Sequence, residues 1–122
     1  MAREIKNLID SEKIIWTRHA GEKIRQYNLS ESRLKRVLRK PDRKELGIAP
    51  RTIAIMQITG TKKHPTEIWM MYQKTKLKVK NEKLKVIKII SAWRYPGRSP
   101  RGEPPPIPED ILWEINELKN SS

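Results

Sequence analysis

IIWTRHAGEKIRQYNLSESRLKRVLRKPDRK, from Ile14 to Lys44, reads as a short apolar strand followed by two helices. Ile14, Ile15 and Trp16 make the extended entry, and Thr17 is an N-cap whose hydroxyl accepts a hydrogen bond from the first helical turn. The helix that follows buries Ala20, Ile24 and Tyr27 on one side and ends at Asn28. Ser30 caps a second helix, with Leu29 stapling onto Leu34, and with Leu34, Val37 and Leu38 facing the core. Pro41 and Asp42 stop it, because a proline disfavours helical backbone at the residue before it. Its outward side carries Arg33, Lys35, Arg36, Arg39 and Lys40.

Downstream, from Arg51, the apolar period changes to two. Strands are predicted over Thr52–Thr59, Glu67–Val79 and Leu84–Arg94, linked by a loop at Gly60–Thr66 and a tight turn at Lys80–Lys83 around Asn81. Leu84, Val86 and Ile90 fall on one face of the last strand and Ile87 and Ile89 on the other, which predicts a central strand covered on both sides. Upstream, Ile5, Leu8 and Ile9 predict a short leading helix over Arg3–Ile9. After the last strand, PGRSPRGEPPPIP excludes helix and inner strand, and Pro108-Glu109-Asp110 then opens a helix with Ile111, Leu112, Ile115 and Leu118 on its apolar side. The predicted fold class is α+β, with two to three helices on a three- to four-stranded antiparallel sheet. The predicted organisation is one domain over residues 1–94, a proline-rich tether over 95–108 and a C-terminal helix over 109–120.

Lys and Arg outnumber Asp and Glu by 27 to 14, giving a formal charge of +13 and a pI near 10.2 in 122 residues. Such a surface attracts a polyanion: nucleic acid, or an acidic protein. The absence of cysteine excludes disulfides, thiolate catalysis and cysteine-based zinc sites. Two histidines without cysteine make a poor metal site, and no Gly-rich phosphate loop or nucleotide fingerprint occurs, so no cofactor is expected. The apolar runs Ile68–Tyr72 and Val86–Ile90 are far shorter than a membrane span, and a cytoplasmic protein is expected.

Two constellations carry chemistry. Lys74, Lys76, Lys78 and Lys80 recur at every second position, about 6.6 to 6.8 Å apart in a regular strand and near the phosphate spacing of a single strand. With Lys83, Lys85 and Lys88 they form either a ribbon that grips RNA or a solvated edge protected from aggregation. The second is His19 at a helix start, flanked by Arg18 and followed by Arg25. Cleaving RNA through its own 2′-hydroxyl needs a base, an acid and cations around the phosphorane, and these residues are of the right types. Packing at the helix start is the alternative role for His19. Nearby arginines should keep the imidazole neutral. Ser91-Ala92-Trp93-Arg94-Tyr95 closes the last strand, where Arg94 is placed to hold phosphate beside an aromatic ring, or the rings to pack. Trp16, Trp69 and Trp113 are assigned to packing, and His64, next to Pro65, to an exposed loop.

Thr17-Arg18-His19-Ala20, Pro41-Asp42 and Ile89-Ile90-Ser91-Ala92 resemble the helix start, the end of the second helix and the closing strand of small domains related to the BrnT and RelE-like toxins of toxin–antitoxin systems. The similarity spans about Ile14 to Arg94. It implies two helices on an antiparallel sheet and a metal-independent endoribonuclease acting on RNA; a separate reading is an interaction protein whose final helix binds an acidic antitoxin or another copy of this chain. His19 matches the helix-start histidine, and Ser91 and Arg94 match the polar residues ending the strand. Arg18, Arg25, Lys74, Lys76, Lys78, Lys80 and Lys85 would then bind the nucleic acid. The competing reading is a non-catalytic nucleic-acid-binding or ribosome-associated module of the same fold.

Overall fold

The computed structural model describes residues 13–120, so the leading helix expected over Arg3–Ile9 lies outside the described residues. In chain order the elements are β1 (Lys13–Trp16), α1 (Arg18–Gln26), α2 (Glu31–Arg39), β2 (Arg43–Leu46), β3 (Thr52–Gly60), β4 (Pro65–Val79), β5 (Glu82–Pro96) and α3 (Glu109–Asn120). The fold is α+β. One sheet holds all five strands in the order β1-β5-β4-β3-β2. β1 runs parallel to β5, and the other neighbours are antiparallel.

This mixed, five-stranded sheet corrects the expectation of three to four antiparallel strands. β1 is the short strand expected at Ile14–Trp16, now paired in parallel with β5, whereas β2 is not among the expected strands and has four residues, too few to display a period. β2 is also polar, RKEL, and lacks the apolar alternation that marks a strand. The strand that closes the sheet runs to Pro96, two residues beyond Arg94, so the chain leaves the sheet later than its proline content indicates.

Thr17 fixes the start of α1 twice. Its hydroxyl oxygen accepts from Ala20 N at 3.1 Å, and the same hydroxyl donates to the Ile89 carbonyl at 2.7 Å, which pins the helix start to β5. At the other end Asn28 adopts a left-handed φ of 53°. Leu29 N donates to the Ile24 carbonyl and Asn28 N to the Arg25 carbonyl, the hydrogen-bond pair of a Schellman cap. Ser30 then caps α2 by accepting from Arg33 N. Capping makes this helical hairpin rigid although each helix has only nine residues.

Both faces of the sheet are covered. On one, Ala20, Leu34 and Val37 from the helical hairpin pack on Ile55, Ile68, Met70, Tyr72, Ile87, Ile89 and Ala92. On the other, Ile111 and Ile115 from α3 pack on Ala54, Met56, Trp69, Met71, Ile90 and Trp93. Tyr72 pairs with Ile89 while Met71 pairs with Ser91, so Ile90 is the extra residue of a β-bulge. Trp69 and Trp93 are fully buried and stack with centroids 6.0 Å apart and planes within 3°.

The proline-rich segment is docked on this second face. Trp93 Nε1 donates to the Pro106 carbonyl at 2.9 Å. Ser99, 8% exposed, donates its hydroxyl to Glu67 at 2.6 Å and its backbone N–H at 3.0 Å. Glu67 is only 1% exposed and also accepts from Trp69 Nε1. The guanidinium of Arg43 bonds the Ser99 hydroxyl, the Glu45 carboxylate and the Glu103 carbonyl, and lies 5.2 Å from the Trp69 ring centroid. A buried carboxylate and a buried guanidinium are thus each satisfied, with Ser99 as the bridge between them. No helix among the described residues is long and apolar enough to cross a membrane.

Replacing Ser99 with Ala removes a donor from Glu67 and an acceptor from Arg43, so it should cost about 1–3 kcal/mol. Urea unfolding measures the loss. Limited proteolysis should cut the variant between β5 and α3 faster than the parent, and an unchanged cutting rate would show that the bridge does not hold the segment.

Candidate functional site

His19 occupies the second position of α1, and the bulge at Ile90 places Ser91 opposite Met71 on the face that α3 covers. The two meet: His19 Nε2 lies 3.2 Å from Ser91 Oγ. On the other side of the ring, His19 Nδ1 lies 2.5 Å from Glu114 Oε2 of α3. The contact is close but not an aligned hydrogen bond, since Glu114 Oε2 has no hydrogen-bond partner among the described residues. One turn further along α1, Lys23 is 4% exposed and reaches Asp110 at 2.5 Å, Glu114 at 3.5 Å and Gln26 at 2.9 Å. Gln26 in turn donates to Asp110 at 3.3 Å. An i,i+4 pair of bases, His19 and Lys23, therefore faces an i,i+4 pair of acids, Asp110 and Glu114.

Burial lowers the pKa of His19 and Lys23 lowers it further, and together these outweigh the opposing carboxylates of Glu114, Glu22 and Asp110. The shift is toward the neutral imidazole, and burial rather than Arg18 or Arg25 is its leading cause. Burial also disfavours the charge of Lys23, yet its hydrogen bond to Asp110 and the two acids prevail and raise its pKa. Asp110 is likewise opposed by burial and held below its usual range by the hydrogen bonds from Lys23 and Gln26. The hydroxyl, imidazole and carboxylate form the line that activates a serine nucleophile elsewhere, but Ser91 is fully buried. Three carboxylates against one ammonium also make this neighbourhood unfavourable to phosphate.

The cations expected beside His19 are elsewhere. Arg18 is 95% exposed and pairs with Glu22 on its own helix at 3.7 Å, and Arg25 is exposed. Arg94 donates Nε to the Tyr27 carbonyl at 2.7 Å and a terminal nitrogen to the Asn28 carbonyl at 3.0 Å, closing the C-terminus of α1. The grouping of His19, Ser91 and Arg94 is thus corrected to His19, Ser91, Glu114 and Lys23. Trp113, assigned to packing, is instead 65% exposed on α3.

The lysines do gather. β3 stops pairing with β4 at Gln73, and β1 pairs with β5 only from Val86 onward, so Lys74–Val79 and Glu82–Lys85 stand beyond the described remainder of the sheet as a two-stranded arm. Lys76 is directly opposite Lys85, and Lys78 is opposite Lys83. With Lys74 these five exposed residues share one face, by the alternation of a strand. Lys80 does not continue the row, because it forms the turn with a left-handed φ of 57°, a conformation expected of Asn81. Lys88 is exposed on the alternate parity, paired with Gln73 and Ile15.

No family model, curated protein or solved structure matches this chain. Function is therefore argued from the site alone. Glu114, Lys23 and Asp110 escape a reading of the sequence because the bases of α1 and the acids of α3 lie far apart along the chain, 87 positions for Lys23 and Asp110; the matched i,i+4 spacings are visible, but nothing local says that they face each other.

His19 also predicts a pH response. Its proton is bound more weakly in the fold than in the unfolded chain, so unfolding takes up a proton as pH falls. The stability it contributes is complete above about 6.5 and declines below, toward the lowered folded value. The urea midpoint should drop between pH 7.5 and 5.5, and His19→Gln should flatten that drop. Equal slopes for both proteins would remove His19 as the cause.

Proposed function

We propose that this chain is a nucleic-acid-binding module that holds RNA along the lysine arm. One observation carries the reading: lysines stand directly opposite lysines on an arm whose own stability they oppose. Like charges in directly paired cross-strand positions are destabilising, on a scale of roughly 0.2–1 kcal/mol per pair. Protection of an exposed edge accounts for lysines on a strand, but not for placing them in register with one another. A polyanion along that face relieves the repulsion and releases counterions. RNA is the ligand implied by the resemblance to BrnT and RelE-like domains. The major groove of B-DNA, about 12 Å wide, also admits a two-stranded ribbon, so duplex DNA is the competing ligand in the test.

A metal-independent endoribonuclease of toxin type is the second reading, and the contact of Ser91 with His19, whose shift is toward the neutral form, favours it. In that case α3 must move, because it covers both residues. The carboxylates that an acidic antitoxin would bring to His19 are already supplied by Asp110 and Glu114 of the same chain. A ribosome-associated role uses the same lysine face.

Purified protein should retard a labelled RNA, with affinity falling steeply as salt rises. Changing Lys74, Lys76, Lys78, Lys83 and Lys85 together to Gln should reduce the slope of log K against log salt by roughly 3 to 4. An unchanged slope would sink the binding reading. In EDTA, cleavage of total RNA that is lost in His19→Ala would establish the second reading, and intact RNA would leave binding alone.

A further inference from the structure

A hollow of about 370 Å³ opens where the α1–α2 turn meets the ends of β3, β4 and β5, remote from His19 in its contacts. Asn28, Ser30, Arg33, Arg36, Thr59 and Arg94 supply its polar lining, and no acidic residue lines it. The guanidinium of Arg94 is held in place by the Tyr27 and Asn28 carbonyls, and Ser30 and Asn28 are fixed as the two caps of the turn. Arg33 is the unusual member. Its Nε is buried and has no hydrogen-bond partner among the described residues, a condition that is unfavourable for any buried donor. Burial, then Arg36, then Arg94 lower its pKa, yet a guanidinium stays charged in proteins. Three cations are thus crowded around one hollow with a donor unused.

We infer that this hollow binds a phosphomonoester at the end of a nucleic-acid strand. A terminal phosphate carries up to two negative charges and three free oxygens, whereas a phosphate inside a strand carries one charge and two free oxygens. The more highly charged group is the better match for three guanidinium groups, whose planar forks suit phosphate oxygens. The size of the hollow is in the range of small-ligand sites, so it holds a nucleotide and not only a phosphate. A second hollow of about 520 Å³ shares Thr59 with the first and is lined by Lys62 and Arg98, which offers the following phosphates a continuation. The inference rests on the nucleic-acid reading for its ligand, but not on the lysine arm for its site.

Two measurements separate the possibilities. Anisotropy titrations compare one short RNA carrying a 5′-phosphate, a 3′-phosphate or only hydroxyl ends. One phosphorylated end should bind about tenfold tighter than the hydroxyl form, and which end does so identifies the source of the group. The preference should vanish in Arg33→Gln/Arg36→Gln, shrink in Arg33→Lys, and persist in the five-lysine variant, which weakens all three strands alike. A preference that survives the arginine changes, or equal binding of all ends, overturns the pocket while leaving the arm intact. Should no strand bind at all, nucleoside 5′- and 3′-monophosphates are titrated while the Arg33 Nε–H signal is followed by NMR. A shift that is absent with the parent nucleoside supports the pocket without the arm, and no shift overturns it.

Discussion

The stacked pair of Trp69 and Trp93 is the constraint on which the rest of the molecule depends. Two fully buried indoles on neighbouring central strands form an apolar surface that must be covered. The chain covers it by folding the segment after β5 back on itself. That segment contains many prolines and few apolar side chains, so it is held by hydrogen bonds: Pro106 takes the Trp93 N–H, and Ser99 joins Glu67 to Arg43. Once it is docked, α3 is delivered to the same face and lands beside His19. The surroundings of the histidine are therefore a consequence of how an indole pair is kept dry.

How much of this was legible varies with the range of the interaction. The helix caps at Thr17 and Ser30 and the long strands are local patterns and are readable as such. β1 is also visible as the apolar run Ile14–Trp16, but β2 is not, since a short polar strand is defined by its neighbour rather than by its own sequence. The α+β class follows from the local patterns, while strand number and the parallel pair at the edge do not. Arg94 shows the limit most plainly. The composition around it suggests a phosphate clamp beside His19, yet it is anchored to two carbonyls at the end of α1 and lines a hollow that does not include His19. Ser91 and His19 are brought together, which their positions in the sequence do not show. That contact exists because a bulged residue shifts the parity of β5, and no periodicity announces a bulge.

Polar groups in this fold divide into those that are satisfied and those that are not. Glu67, Arg43 and Lys23 are buried and well partnered, which marks them as structural. The paired lysines of the arm and the crowded arginines at the helical turn are the opposite case: groups whose mutual repulsion weakens the free protein. Residues of that kind are retained where a ligand of opposite charge completes them, a relation between stability and function found at many binding sites.

The placement of α3 has an electrical consequence as well. Its first turns carry Glu109, Asp110 and Glu114, while the arm projects five ammonium groups from the far half of β4 and β5. Charge so separated gives the described residues a dipole, in a chain whose net charge is +13. A dipolar cation approaching a polyanion experiences a torque before contact, so that the arm turns toward the ligand and the acidic start of α3 turns away. Encounter is biased toward one orientation, which raises the rate of productive association without any added contact.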